Sequence, residues 1–506
     1  MSFYVTTPIY YVNAAPHLGH AYTTIAADVL ARHHRQRGED VFFLTGTDEH
    51  GEPVADAARA LGIGPQELAD RNAERFKELL PRLGASNDFF IRTTDPRHEA
   101  VVRAVLGKVR ERGYVYEGTY EGWYCPRCAD FKTESEVAAE NTCPIHHIEL
   151  TREREQNYFF ALSAFQERLE RLYERQPQLV APRSRFNEAL AFIRSGLRDV
   201  PLTRKRLLWG VAVPWDSQHV FYVWFDALLN YYSALTFARE EGEELLSRMW
   251  PPAVHLIAKD ILRFHAVYWP ALLMAAELPL PRRIFVHGYL LMEGEKMSKS
   301  LGNVLDPNAV IERYGADALR FYLLREVPFG ADGSVSTAAF ETRYERELAN
   351  ELGNLAGRTL AMIERYCDGV VPTAQPDSAL AAEIGELGDE VAALLDRTDL
   401  TAALEAIWER VRRLNRYVEE QAPWQLARSG ERRAQLERAL ASLALGLRCV
   451  AVALLPYLPD SMERLLDALG VQERSLDQCS FKRQGEPLGA RIARVPALFP
   501  KHERAL

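Results

Sequence analysis

Two histidines with a glycine between them form the first group of residues whose spacing could support chemistry. His17, Gly19 and His20 follow a β-branched and aromatic run over Tyr4–Tyr11 and precede a helical pattern that begins at Ala21. A helix start collects unpaired backbone N–H groups and positive dipole, so it favours phosphate. Gly19 would let a nucleotide approach the backbone, and both rings could donate hydrogen bonds to phosphate oxygens. The pattern indicates a nucleotide-phosphate site, and a surface helix with incidental histidines is the alternative.

A second group of such residues lies far along the chain. Lys296, Ser298 and Lys299 follow a short apolar pattern typical of a strand over Ile284–Tyr289, and glycines flank them. Ammonium groups and hydroxyls can neutralise and hydrogen-bond a polyphosphate chain. The run predicts a mobile phosphate-binding loop, and a solvated basic loop is the alternative.

A third group has the spacing of metal ligands. Cys125 and Cys128 are separated by two residues, and so are Cys143 and His146. Two such pairs predict a tetrahedral site for one structural Zn²⁺ per chain, filled by protein ligands alone. His147 is the competing fourth ligand, and buried thiols without a metal are the alternative interpretation.

Length and composition limit the classes of protein to consider. The chain has 506 residues, of which 47% are hydrophobic, so more than one globular domain is expected. A net charge of −9 means that a nucleic acid would bind at local basic patches. Six cysteines in a chain of this length do not indicate a disulfide framework. Met1–Tyr11 lacks a signal-peptide pattern and Ala439–Leu455 is too interrupted to span a bilayer, so we expect a cytoplasmic protein without a membrane partner.

Strand-like and helix-like segments alternate at the start of the chain and again later. They predict an α/β, Rossmann-like nucleotide-binding domain whose halves are residues 1–114 and 220–335. Residues 115–219 would be an insertion that carries the metal motif. The apolar strand Val41–Asp48 ends in a polar tip, where ligands collect in parallel sheets.

Residues 336–506 are predicted to form an α-helical bundle, because two apolar stripes there have a helical period. Their members are Leu348, Leu352, Leu355, Thr359 and Met362 within Glu347–Tyr366, and then Leu400, Leu404, Ile407, Val411, Leu414 and Val418.

The His17–His20 turn and the Lys296–Ser300 loop together resemble the two signatures of the class I aminoacyl-tRNA synthetases. The residues between them are most similar to the methionyl-tRNA synthetases, and the similarity runs along nearly the whole chain. It implies a catalytic domain split by a zinc-bearing insertion and followed by an anticodon-binding bundle. It also implies activation of L-methionine with ATP and Mg²⁺ to methionyl-adenylate, and transfer to the 3′ end of initiator and elongator tRNA(Met). Leu18 replaces the isoleucine common in the first signature.

The resemblance also implies residue roles. His17, His20, Lys296 and Lys299 would act in catalysis, and Gly19 and Ser298 would join them in binding ATP. His146 is favoured over His147 as the zinc ligand. The implied methionine pocket consists of Ile9, Tyr11, Asp48, Trp224, Ala227, Leu228, Tyr231, Ile261 and His265.

The implied pocket is chemically reasonable for methionine. Aromatic faces suit a polarizable thioether, and Tyr231 or His265 could donate a hydrogen bond to its sulfur. Asp48 would pair with the substrate ammonium, and a surface acid or helix cap is the alternative. Without the resemblance, Trp224 and Tyr231 would be ordinary core aromatics.

Anticodon reading is implied at three further positions. Asn354 and Arg358 are four residues apart, so one helix face can present both, and Trp424 could stack on a base. A solvated polar pair and a tryptophan at the end of the bundle are the alternative. A basic face for phosphates is expected at Arg410, Arg412, Arg413 and Arg416.

Three other functions are compatible with parts of the pattern. One is a class I synthetase for cysteine or a branched aliphatic amino acid. Assays of ATP–pyrophosphate exchange with a panel of amino acids would separate these enzymes from one specific for methionine. Another is a nucleotidyltransferase with the same histidine turn, which would leave the helical bundle without a purpose. A catalytically silent tRNA-binding protein is disfavoured because both phosphate motifs are intact. A strand-rich C-terminal module is not seen, so we expect a monomer.

Overall fold

The computed structural model describes residues 1–125, 130–132, 137, 141–144, 148–205, 207, 209–292, 305–481 and 485–501. Strands and helices alternate over the first 111 residues, as in half of a parallel α/β sheet. In chain order these elements are β1 Ser2–Thr6, β2 Tyr10–Tyr11, α1 Leu18–Gln36, β3 Asp40–Asp48, α2 Glu52–Leu61, α3 Pro65–Arg82, β4 Phe89–Arg92 and α4 Pro96–Glu111.

The next segment is richer in strands. Its elements are β5 Val115–Cys125, β6 Asp130–Lys132, β7 Thr151–Phe160, α5 Gln166–Arg175, β8 Val180–Ala181, α6 Arg183–Arg194, β9 Val200–Pro201 and β10 Thr203–Arg204.

Alternation returns between residues 220 and 335. The elements there are β11 Val220–Phe221, α7 Val223–Leu228, α8 Asn230–Phe237, α9 Gly242–Met249, β12 Ala253–Ala258, α10 Trp269–Ala275, β13 Arg283–His287, β14 Leu290–Met292, α11 Pro307–Tyr314, α12 Ala316–Glu326 and β15 Gly333–Val335.

The elements described after β15 are helices. They are α13 Thr337–Arg343, α14 Asn354–Tyr366, α15 Ser378–Ile384, α16 Leu387–Leu395, α17 Leu400–Gln421, α18 Pro423–Leu426, α19 Arg433–Leu454 and α20 Pro459–Ala468. A π-helical segment, Tyr344–Gly353, joins α13 to α14, so the helical path begins ten residues before the predicted Glu347.

A parallel sheet forms the centre of the fold. β3 pairs with β1, β2 and β4, and the order continues from β1 through β12 and β13 to β8. The β1 and β3 strands are buried on both faces, as parallel strands covered by helices must be. Alternate residues enter different cores, because Phe3 and Val5 pack with α1 while Tyr4 packs with α7 and α8. Gly46 permits the β3–β4 contact, since a Cβ there would lie 2.1 Å from the Ile91 carbonyl oxygen.

The predicted insertion, residues 115–219, contributes to two sheets. β5 and β7 form a long antiparallel pair with β6 and β9 at its edges. β8, from the same segment, pairs in parallel with β13 and forms an edge of the central sheet. The segment is therefore continuous with the α/β core on one side, and the four domain boundaries stay predictions.

The helical stripes predicted from the sequence face the interior. Every member of both stripes is buried, from Leu348 to Met362 and from Leu400 to Val418. They join one apolar core with α1 and α12, which places the helices after residue 336 directly against the parallel sheet. Among the described helices, none is long and apolar enough to cross a membrane.

Candidate active site and tRNA-binding face

Polar residues lie at the carboxyl ends of the parallel strands. Thr7 follows β1, Asp48 ends β3, and His287 ends β13. His287 accepts a hydrogen bond from the Thr23 hydroxyl of α1 at 2.8 Å, because its Nδ1–H is directed to the Gly288 carbonyl. The start of α1 is thereby attached to the carboxyl end of the sheet, where ligands bind in such folds.

The histidine turn caps α1 with its own side chains. His17 is the N-cap, and its Nδ1 accepts from the Gly19 N–H at 3.1 Å. His20 Nδ1 accepts in return from the His17 N–H at 3.1 Å. The two rings stack with centroids 3.7 Å apart. This is a capping box built from histidines, and it fixes the direction of both rings.

Both rings of this turn keep one nitrogen, Nε2, outside the capping box. Loss of hydration lowers the pKa of His17, and loss of hydration together with His17 lowers the pKa of His20 further. Each ring is therefore neutral at pH 7 and carries its proton on Nε2, because Nδ1 already accepts from the backbone. Two N–H donors thus stand beside the positive end of a helix. A side chain at position 19 would crowd them, since a Cβ on Gly19 would lie 3.0 Å from the His17 ring.

Asp48 is a buried carboxylate with an unused oxygen. It is 2% exposed, and its Oδ1 has no hydrogen-bond partner among the described residues. Burial raises the pKa of Asp48 well above its usual range, and Asp226 and Glu49 raise it further. A buried carboxylate without a partner is costly, so this oxygen is suited to receive a cationic group from a ligand.

Aromatic side chains adjoin Asp48. Trp224 of α7 stacks on Phe264 with ring centroids 3.8 Å apart, and the Tyr11 and Trp224 rings are nearly perpendicular with centroids 6.2 Å apart. Tyr231 stacks on His255 at 4.3 Å. The other predicted pocket residues lie nearby: Leu228 belongs to the same apolar cluster, Ile9 and Ile261 pack against it, and Ala227 is buried on α7.

The Tyr231 and His265 protons are committed to other partners. His265 lies in the π-helical turn Phe264–Tyr268, and burial lowers its pKa to about 4. Its Nδ1–H donates to the Ile261 carbonyl at 3.1 Å, so its Nε2 accepts from the Tyr231 hydroxyl at 2.8 Å. The hydrogen bond that the sequence suggested from either group to a sulfur would therefore require one of these bonds to break.

A buried cluster beside Asp48 was not singled out from the sequence. Asp226 Oδ2 contacts His50 Nδ1 at 2.7 Å, and Asp226 Oδ1 contacts His98 Nε2 at 2.8 Å. His98 Nδ1 meets the Ser233 hydroxyl at 2.7 Å. The sequence did contain a signal for this cluster. His50 and Asp226 are polar residues close to the pocket positions Asp48 and Ala227, in runs that were interpreted as a strand end and a core helix.

Half of the predicted metal site lies in the described structure. Cys125 ends β5, and Cys143 lies in a short antiparallel turn. The backbone N–H of Cys143 donates to the Ile148 carbonyl at 2.8 Å. Both thiols are fully buried in one small cluster with Leu150. Cys128, His146 and His147 lie outside the described residues, as do Lys296, Ser298 and Lys299. Within the described ranges, no group of three or more side chains is placed to hold a metal.

The three predicted anticodon residues lie at one end of the helical region. Arg358 of α14 lies over the Trp424 ring at 5.4 Å and donates to Glu419 of α17 at 2.8 Å. Asn354 is exposed one turn before Arg358 on the same helix. The structure therefore brings these residues onto one solvent-facing surface.

The neighbouring arginines are less available than their sequence suggests. Arg410, Arg412 and Arg413 each form ion pairs with glutamates. Arg416 is exposed and has no ion pair among the described residues. A phosphate at this face would have to compete with carboxylates.

Comparison with known proteins gives a consistent family assignment. A family model described as "tRNA synthetases class I (M)" matches residues 3–155 and 140–360. The methionine–tRNA ligase of Caldanaerobacter subterraneus subsp. tengcongensis is 44% identical over 99% of this chain and 79% of its own length. That of Rickettsia conorii is 42% identical over 99% of both chains.

Solved structures agree in fold. Mycobacterium tuberculosis methionyl-tRNA synthetase in complex with methionyl-adenylate has a TM-score of 0.94 and 42% identity, and the match covers 99% of this chain and 100% of that one. The apo form of the same enzyme has a TM-score of 0.88 and 39% identity, covering 100% and 99%.

Proposed function

The chain belongs to the methionyl-tRNA synthetase family of class I tRNA synthetases, and from this membership we propose residue roles for its reaction. The chain activates L-methionine with ATP to methionyl-adenylate and transfers the methionyl group to tRNA. Synthetases for cysteine or branched aliphatic amino acids and small nucleotidyltransferases do not account for matches of this length.

Binding of methionine centres on Asp48 and the aromatic residues beside it. The buried oxygen without a partner at Asp48 is the observation that carries this proposal. The substrate ammonium would supply the missing partner and favour the ionised carboxylate. Trp224, Tyr231 and His265 would form walls against the thioether, with Ile9, Tyr11, Ala227, Leu228 and Ile261 completing the pocket.

Binding of ATP is assigned to the histidine turn and the lysine loop. The Nε2–H groups of His17 and His20 would donate to phosphate oxygens at the start of α1, and Gly19 would leave room for the nucleotide. Lys296, Ser298 and Lys299 would bind the leaving pyrophosphate, and Mg²⁺ would enter with ATP. The methionine carboxylate attacks the α-phosphorus, so positioning and charge stabilisation supply the catalysis.

The lysine assignment makes a specific prediction. Lys299→Ala should lower the maximal rate of ATP–pyrophosphate exchange while leaving methionine affinity unchanged. Near-normal exchange in that variant would remove Lys299 from the transition-state role.

A structural Zn²⁺ fits the residues at the end of β5. Cys125 and Cys143 are buried in one cluster, and thiolates are suitable zinc ligands. We assign Cys128 as the third ligand from its spacing, and His146 rather than His147 as the fourth from the family resemblance. With four protein ligands, the metal would hold the turn and the β5–β7 pair together and would take no part in the chemistry.

The tRNA anticodon is assigned to Asn354, Arg358 and Trp424. An exposed amide, a guanidinium and an indole on one surface can stack on splayed bases and hydrogen-bond their edges. Initiator and elongator tRNA(Met) share this face in the proposal. A monomeric and cytoplasmic enzyme remains the prediction from the sequence, and light scattering on the purified chain tests the first part.

ATP–pyrophosphate exchange with each amino acid in turn tests the pocket. Exchange with methionine should exceed exchange with leucine, isoleucine and cysteine by at least about a hundredfold, because several contacts discriminate together. Exchange that favours another amino acid would contradict the pocket. No exchange from folded, zinc-loaded protein would contradict the activity.

A further inference from the structure

The short helix α7 carries three predicted pocket residues, Trp224, Ala227 and Leu228. It spans six residues, Val223–Leu228, and its N-cap Tyr222 makes no side-chain capping bond. Asp226 lies between Trp224 and Ala227 on this helix and is fully buried. Its position makes it the polar attachment of α7 to the surrounding elements.

Both oxygens of Asp226 are held by histidines from other elements. His50 follows the end of β3 by two residues, and His98 lies in the first turn of α4. His98 continues through its second nitrogen to Ser233 on α8. The carboxylate therefore ties α7 to the segment that carries Asp48 and to two neighbouring helices.

The same contacts control charge around Asp48. Burial alone would raise the pKa of Asp226, but His50 and His98 lower it to about 2, so this carboxylate is ionised. Burial alone would lower the pKa of His50, but Asp226 raises it. The other charged groups that affect His50 are Glu99 of α4 and Glu49, which Arg92 pairs. Asp226 favours the protonated form of His50, and because both Asp226 oxygens are already held, Asp48 is the carboxylate with an oxygen available to a cation.

We propose that His50 and His98 are positioning residues that act through Asp226. They fix the distance between Asp48 and the pocket residues on α7, and they balance the charge of Asp226 beside Asp48. The proposal rests on the methionine site proposed above. These histidines touch neither substrate, so their effect is on how tightly methionine is held. ATP binding at the start of α1 should be little affected.

Truncating the histidines tests this role. His98→Ala and His50→Ala should raise the KM for methionine in pyrophosphate exchange by about tenfold to a hundredfold, the range for a lost hydrogen bond to a charged group. The KM for ATP should change less than about twofold. His98→Gln keeps a donor near the lost Nε2 and should recover most of the methionine affinity.

A matched histidine controls for loss of a buried ring. His33 of α1 is also fully buried, and its nitrogens have no partner among the described residues. His33→Gln should leave the KM for methionine unchanged. Ser233→Ala, a milder change at the end of the cluster, should give a smaller increase than His98→Ala and keeps the test usable where an alanine variant fails to fold.

The outcomes separate this inference from the proposed function. A wild-type protein without methionine-dependent exchange would overturn the methionine site itself. An active wild type whose folded His50→Ala and His98→Ala variants keep the wild-type KM for methionine would overturn only the positioning role. Equal increases in both KM values, unrelieved by His98→Gln, would indicate a merely structural cluster and would also overturn it.

Discussion

The two candidate sites place their charged groups in opposite surroundings. Asp48 at the sheet edge is buried, and its pKa is raised well above the usual range. Arg358 on the helical region has a side chain that is 35% exposed, and its partner Glu419 is 61% exposed. Charges in a buried site interact strongly, whereas exposed pairs are screened by water and salt. The sheet-edge site should therefore respond to single changes far more than the helical face.

A third group of charges lies between these regions and serves neither substrate. Asp28 of α1 accepts two hydrogen bonds from Ser86 at 2.6 Å and pairs with Arg32 and Arg320 at 2.8 and 2.7 Å. Arg320 also donates to carbonyls that precede α20, those of Pro456 and Tyr457. Both carboxylate oxygens of Asp28 have partners, whereas Oδ1 of Asp48 has none among the described residues. The comparison separates a carboxylate that fastens two regions from one that awaits a ligand.

Replacing Asp48 should give the largest effect. Asp48→Asn removes the proposed partner of the methionine ammonium, which should cost about 3–5 kcal/mol of stabilisation. The value of kcat/KM for methionine should therefore fall roughly a hundredfold to several thousandfold. The same variant should unfold at a higher temperature, because it removes a buried ionisable carboxyl whose charged form burial disfavours. Exchange assays and calorimetry measure the two effects.

The exposed Asp56 of α2 provides the control for Asp48. Asp56→Asn should change neither quantity, since its pairing with Arg59 is at the surface.

The stability gain of Asp48→Asn should grow with pH. A folded-state pKa raised above the unfolded value means that Asp48 favours folding only while protonated, and this contribution is lost as pH rises through the folded pKa. A stability gain that is independent of pH would contradict the assignment.

Replacing Asp28 should invert that result. Asp28→Asn breaks a buried pair and should lower the free energy of unfolding by about 3–5 kcal/mol, with the KM for methionine changed less than about twofold. Burial alone would raise the pKa of Asp28, but Arg320 and Arg32 hold it below its usual value. The stabilisation is thus present above about pH 4 and lost as pH falls through the lower folded pKa. Denaturant unfolding at several pH values checks this, and a large rise in KM with unchanged stability would contradict it.

Local pattern predicted much of this arrangement. The apolar run of β3 placed Asp48 at a strand end, and the helical period of Leu400–Val418 identified the buried face of α17, because both signals are carried by neighbouring residues. The contact between His50 and Asp226 joins residues 176 positions apart, so no local period contains it. Pairing of β8 with the central sheet likewise depends on tertiary packing.

The direction of hydrogen bonds that involve histidine rings could not be predicted from the sequence either. The sequence assigned Tyr231 and His265 to the same proposed pocket. A hydrogen bond of 2.8 Å joins them, and its direction depends on the Ile261 carbonyl beside His265. The histidine capping box is a similar case. His17 and His20 were predicted to bind phosphate, while their shared role in fixing the α1 start follows from backbone geometry that spacing alone does not specify.

Loss of the indole on the helical face should have an intermediate effect. Trp424→Ala removes a stacking surface worth about 1–3 kcal/mol, so kcat/KM for tRNA should fall roughly fivefold to somewhat over a hundredfold. Methionine-dependent pyrophosphate exchange should stay within about twofold of wild type, because the adenylate forms at the sheet edge. Aminoacylation and exchange assays on one preparation test this, and equal loss of both activities would point to misfolding.

Replacing Glu419 should give the smallest effect. Glu419→Gln removes an exposed ion pair, so the free energy of unfolding should change by no more than about 0.5 kcal/mol. The variant releases Arg358 and removes a negative charge from a face proposed to meet RNA, so the KM for tRNA should fall about twofold to threefold at low salt. The matched control is Glu420→Gln, whose carboxylate pairs with Arg413 instead. Added salt should erase the difference between wild type and Glu419→Gln, because screening acts fully on exposed charges. A salt-independent change, or a higher KM for tRNA, would mean that Glu419 holds Arg358 in its reading position, and the contrast between a rigid buried site and a screened surface site would fail at this residue.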